Sequence, residues 1–211
     1  FAAWEAYTCL STAILSNKEP NLNFLEKLIQ IALDVKTADD PESSSLAELP
    51  EPGQLPNEVA SPEMRAAAEL AMFATGWAIL HEVRHLQHQQ QGTSSPGDNS
   101  CSARAEELSC DEFATDFLIS DLSRYASTHG FDEDSVRKKR HIGIYFAAFA
   151  LVVLSHPNWE VTDSHPSVQE RIDRIFHDLR NDNQDEAMCV ALLAFTGLRK
   201  LWPSAPMFSI T

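Results

Sequence analysis

Apolar residues recur at three- and four-residue spacing along almost the whole 211-residue chain, and no stretch of useful length alternates with period two. A chain patterned this way folds into helices that each bury one stripe, and it has little with which to build a half-buried sheet. The expected fold class is mainly α, one helical domain over 1–211 with little or no β-sheet. The length suits a single sizeable core.

Caps and breakers divide the pattern. Helices are predicted over about 2–16 and 21–36, forming an N-terminal unit 1–36. Residues 37–60 then carry four prolines, six acids and no Lys or Arg, which reads as an acidic loop. It is either a solvated linker or a cover or short strand beside the cleft. Ser61-Pro62-Glu63 starts a helix running to about Gln91, and Gly92–Ser100 is a polar break. A second helix is predicted from Ser102 to near Gly130, which makes 61–130 a helix pair. The C-terminal part, 131–211, has predicted helices over about 133–155, 167–180 and 185–201.

Charge narrows the function. With 31 Asp and Glu against 16 Lys and Arg, the net charge of −15 repels phosphate backbones and anionic lipid, so neither nucleic acid nor membrane is an expected partner. The apolar run Ile142–Leu154 is shorter than the roughly 20 residues that cross a bilayer and reads as a buried helix. Cys9, Cys101, Cys110 and Cys189 have no disulfide or Cys-type zinc spacing, and a reducing cytoplasm is the expected location.

The chemistry lies in His81-Glu82-Val83-Arg84-His85. Four residues apart on a helix, the two histidines project from one face, as two ligands of one zinc ion must. Glu82 is turned off that face, where it can take a proton from water activated by the metal without ligating it. Apolar Trp77–Leu80 carries the pair inward, and buried histidines need partners. A third ligand comes from the next helix, where Glu107 and Asp111 lie one turn apart. Glu107 is expected on the metal, with Asp111 accepting the free ring N–H of a ligating histidine. Glu106 adjoins Glu107 but has no acid four residues on, so Glu107 is preferred. Further on, His165-Pro166 precedes a helix containing Arg171, cationic groups placed to stabilise an oxyanion.

Other candidates have plainer readings. His88 stands seven residues from His81, about 10.5 Å of helix rise, too far for one ion. Cys110 is a soft donor but more often a small packed residue, and Tyr145 sits in an apolar helix as a packed aromatic. His129, His141, His156 and His177 have no motif around them.

The HExxH helix, the following ExxxD helix and the later His-Pro step resemble gluzincin zinc peptidases. The first two are shared with thermolysin-like enzymes, and all three together resemble the CAAX-type prenyl-protein peptidases. Trp77–His85 with Cys110–Phe117 is most similar to the Lit-type phage-exclusion peptidases. The resemblance covers about 77–117 and reaches weakly to Ile172. It implies a zincin-like helical domain with its active site between two consecutive helices, a Zn2+ cofactor, and a protein or peptide substrate, with a translation factor among the candidates. It further implies His81, His85 and Glu107 as ligands, Glu82 as base and His165 as oxyanion donor. Two departures matter: the prenyl-peptidase relatives are membrane proteins, and most gluzincins bind substrate along an edge strand that this sequence does not display. The expected function is zinc-dependent endopeptidase. The alternatives are a catalytically silent zinc-binding regulatory module and a di-iron carboxylate bundle, the latter needing a second Glu-x-x-His pair beside Glu82 and His85.

Overall fold

The computed structural model describes residues 16–40, 62–95, 100–179 and 186–208, with Tyr7, Leu10 and Ala13; at 62–67, 100 and 101 it describes the backbone alone. Among the described residues there are seven helices with both ends defined and no strand, and the helix expected over 2–16 lies mostly outside them, with Tyr7, Leu10 and Ala13 helical. The seven are α1 (Leu22–Thr37), α2 (Pro62–Gln91), α3 (Ser100–Ile119), α4 (Leu122–His129), α5 (Glu133–Ser155), α6 (Val168–Leu179) and α7 (Glu186–Leu201). The chain is mainly α, as its periodicity predicts. The acidic loop lies almost wholly in 41–61, outside the described residues, so its two readings stay open.

The core is built around α5, which packs against α1, α2, α3, α4, α6 and α7. Its start is fixed locally: the Asp132 carboxylate accepts from Ser135 N–H at 2.8 Å, and Glu133 and Asp134 complement the helix dipole. From Gly143 to Phe149 every residue is buried, because neighbours cover the helix on all sides. No helix among the described residues is long and apolar enough to cross a membrane.

Gly143 explains how α2 comes so close. A Cβ placed there would lie 2.5 Å from Cβ of Phe73, an atom fixed to the α2 backbone. Glycine therefore lets the helix bearing the two motif histidines rest directly on the central helix. α6 buries Val168, Arg171, Ile172, Ile175 and Leu179, a stripe at helical spacing that brings the Arg171 guanidinium under α3.

One predicted boundary differs. The segment expected as a single helix over 102–130 is two helices, broken at Asp121, whose φ of 54° is left-handed. Asp tolerates that conformation better than most residues. Arg140 compensates for the break, donating from Nη1 to the carbonyls of Leu118 at 2.7 Å and Ser120 at 3.2 Å.

Candidate functional site

α2 and α3 lie antiparallel in fixed register. Trp77 Nε1 donates to Thr115 Oγ1 at 3.0 Å, His81 Nδ1 meets Asp111 Oδ1 at 2.9 Å, and His85 Nδ1 meets Glu106 Oε1 at 2.9 Å. Each step of one turn along α2 is thus answered by about one turn back along α3. Trp77 and His81 share a face, with ring centroids 5.8 Å apart, so the apolar ring shields one side of the imidazole.

At the centre three groups converge. The Nε2 atoms of His81 and His85 stand 3.2 Å apart. Glu107 adds Oε1 at 3.2 Å from His85 Nε2 and Oε2 at 3.4 Å from His81 Nε2. With each Nδ1–H directed at a carboxylate, both Nε2 lone pairs and the Glu107 oxygens point at one another, an arrangement that is repulsive without a cation between them. The spacings suit zinc. Bonds of ~2.0–2.1 Å to N and O ligands in a tetrahedron give donor–donor edges of about 3.3–3.4 Å.

Burial and charge hold the groups in place. His81, Glu107, Asp111 and Arg171 are all buried. Arg171 donates from Nε and Nη2 to the two Asp111 oxygens, both at 2.7 Å, and its Nη1 is 3.8 Å from Glu107 Oε2. Burial alone would raise the Asp111 pKa, but the hydrogen bonds from Arg171 and His81 outweigh it and keep the carboxylate ionised. Glu107 is shifted down likewise, burial being overcome by His81, His165 and Arg171. For His81, burial lowers the pKa, yet hydrogen bonds to Asp111 and Glu107 push it up to about 9. In the absence of a metal, a proton takes the cation's place.

Two third donors present themselves. His81, His85 and Cys110 offer ligand atoms all within 4.8 Å of one another. Glu107 places its oxygens 3.2 and 3.4 Å from the two Nε2 atoms, while burial and the surrounding carboxylates push the Cys110 thiol up to about 12.

The remaining predicted groups lie around this centre. Glu82 is solvent-exposed beside His81 and makes no hydrogen bond or ion pair with the described residues. The exposed His165 ring reaches the site, its Nε2 3.5 Å from Glu107 Oε1 and its Nδ1 2.7 Å from Ser164 Oγ. The backbone there is folded back, with His165 N–H on Thr162 Oγ1 at 2.9 Å and Thr162 N–H on the His165 carbonyl at 2.9 Å. Arg171 faces Asp111 instead of an open cleft, so its fork is engaged within the protein.

His88 bridges Thr93 Oγ1 and Ser109 Oγ, both at 2.9 Å, and tethers the end of α2 to α3. Tyr145 packs on Phe176 with centroids 4.5 Å apart, and His141 is buried beside it. His129 bonds the Tyr125 carbonyl, His156 stacks on Trp202, and His177 stands beside Asp178. Sequence reasoning treated Glu106 as a rejected metal ligand and missed its contact with His85. The signal was available: once Asp111 is matched to His81 in an antiparallel pair, the Glu106–Glu107 step falls opposite His85.

A 140-residue stretch of the chain is 26% identical to the cell death peptidase of Escherichia coli (strain K12), covering 64% of this chain and 42% of that protein. The chain thus spans less than half the length of this relative. No solved structure matches it. The match that embraces nearly all of the sequence is to a family model, over residues 3–193, and by it the chain belongs to the Peptidase U49 family.

Proposed function

We propose that this protein is a zinc-dependent endopeptidase that cleaves a protein substrate between α2 and α3. The observation carrying the reading is the convergence of two Nε2 atoms and the Glu107 carboxylate at 3.2–3.4 Å, with an exposed acid, Glu82, following His81 in the chain. Membership of a peptidase family and the likeness to a cell death peptidase support the same class of reaction. A translation factor is the proposed substrate class on the resemblance to Lit-type peptidases, and a reducing cytoplasm the proposed setting.

His81, His85 and Glu107 would hold the ion. Zinc in that position supplies a Lewis acid that polarises a carbonyl and makes water acidic enough to attack near neutral pH. Glu82 receives the proton of the attacking water and passes it to the departing amine. His165, half-exposed across the site, donates a hydrogen bond to the oxygen on which charge develops. Asp111, clamped by Arg171, keeps the His81 proton on Nδ1.

Glu82→Gln tests the enzyme against a silent zinc-holding module. The amide is nearly isosteric but cannot accept the proton, so cleavage of candidate protein substrates should fall by at least ~10²-fold with zinc retained. Cleavage at the wild-type rate would end the mechanism. Loss of zinc would instead make Glu82 a ligand and revive the di-iron alternative.

A further inference from the structure

Glu106 is tied down from two directions. Its Oε1 is 2.9 Å from His85 Nδ1, its Oε2 accepts from Ser95 N–H at 2.6 Å, and Ser94 Oγ lies 3.4 Å from both oxygens. The turn that supplies Ser94 and Ser95 is itself anchored: Gly92 adopts a left-handed φ of 67°, and Thr93 is bound by His88, which also reaches Ser109 on α3. The result mirrors the other histidine. His81 has Asp111, which is steadied by Arg171; His85 has Glu106, which is steadied by a peptide N–H.

We propose that Glu106 is a positioning residue, whose carboxylate, held by the 93–95 turn, fixes the His85 ring with its proton on Nδ1 and its Nε2 lone pair facing His81 and Glu107. The inference deepens the metal-site reading and rests on it for its purpose, but the ring orientation is a property of the metal-free chain as well. The donor–acceptor inventory explains why an acid is needed. Two donors, the Ser95 N–H and the His85 Nδ1–H, fall on two different oxygens of one side chain, and a carboxylate alone offers two acceptors there. Glutamine has one oxygen. It must either forsake Ser95 or turn its NH2 towards His85, which then has to carry its proton on Nε2, where a metal ligand needs a lone pair.

The test is nitrogen-15 NMR of the histidine rings in chelator-treated protein at about pH 8, above the ordinary imidazole range. In the unaltered chain His85 should carry its proton on Nδ1. Glu106→Ala should raise the Nε2–H share of His85, and Glu106→Gln should either do the same or release the Ser95 N–H to faster exchange, while His81, held by Asp111, keeps its form and reports an intact fold. Zinc affinity by chelator competition should weaken roughly 10- to 100-fold in both variants. An unchanged His85 tautomer in both variants, or a proton on Nε2 in the unaltered chain, overturns the proposal. If Glu106→Ala does not fold, Glu106→Leu, similar in size to Glu and without an acceptor, decides in its place. Should the unaltered protein take up no zinc, the metal-site reading falls, and the tautomer measurement still decides the role of Glu106.

Discussion

Arg171 and Asp111 form a buried fork-to-fork pair, Nε to Oδ2 and Nη2 to Oδ1, each at 2.7 Å. The pair spans 60 positions of sequence and joins α6 to α3 directly behind His81. Removing the guanidinium strands a carboxylate that has lost its water. Arg171→Met should therefore cost about 3–5 kcal/mol of stability, the usual result of breaking a buried ion pair from one side. Arg171→Lys should recover part of it, since the charge remains but the planar fork does not. Chemical denaturation measures both, and a loss below ~1 kcal/mol for Arg171→Met would contradict the assigned role.

The proposed metal ligands can be separated from their neighbours by elemental analysis. Alanine at His81, His85 or Glu107 should remove most bound zinc, because three protein ligands leave no spare. Asp111→Asn should retain zinc but weaken its affinity roughly 10- to 100-fold. If Glu107→Ala keeps its zinc while Cys110→Ser loses it, the third donor is the thiol that shares the cluster.

His165→Phe should leave zinc content and folding unchanged, since the ring is largely exposed and touches the site through one distance of 3.5 Å. Turnover should fall roughly 10²-fold, the scale on which one oxyanion donor acts. Wild-type turnover in this variant would leave His165 a loop residue.

Acid and base act on the metal-free chain in opposite directions. Because folding raises the His81 pKa to about 9 from 6.5, the stability it contributes is complete below 6.5 and lost as pH rises through about 9. Asp111 and Glu107 are shifted down, so their contribution is present above the ordinary carboxylate values and lost as pH falls through the lowered ones. Thermal midpoints in chelator should decline from near-neutral to pH 9, and His81→Ala should flatten that limb. A flat profile in the parent protein would mean that His81 is not held as an imidazolium.

Gly143→Ala should be costly in a way that reaches the site. The new methyl meets Phe73 Cβ at 2.5 Å, and neither backbone has a flexible end with which to yield. A loss of about 1–3 kcal/mol is expected from overpacking, with weaker zinc binding as α2 is pushed off α5. Unaltered stability would show that the two helices separate freely.

Much of this was legible in the chain. The predicted spans 21–36, 133–155, 167–180 and 185–201 correspond to Leu22–Thr37, Glu133–Ser155, Val168–Leu179 and Glu186–Leu201, because each has a clear apolar stripe and a cap or breaker at its ends. The break at Asp121 was not legible, since what permits it is Arg140, distant in sequence, gathering the carbonyls of Leu118 and Ser120 that the break releases. At the site, His81, His85, Glu107 and Asp111 follow from one-turn spacing on two helices. Glu106 and Arg171 take their meaning from how α2, α3 and α6 meet, and no local pattern announces it.

The antiparallel register of α2 and α3 also sets an account of charge. Around the two imidazoles it gathers three carboxylates, Glu106, Glu107 and Asp111, against the single guanidinium of Arg171. Three minus charges against one plus leave a deficit of two. On the proposed reading, a dication would close that deficit completely and a monocation by half. When no dication is present, the raised pKa of His81 lets that ring hold a proton in its place. Zinc uptake at the proposed site would then expel that proton, and its heat near neutral pH should change with the ionisation enthalpy of the buffer.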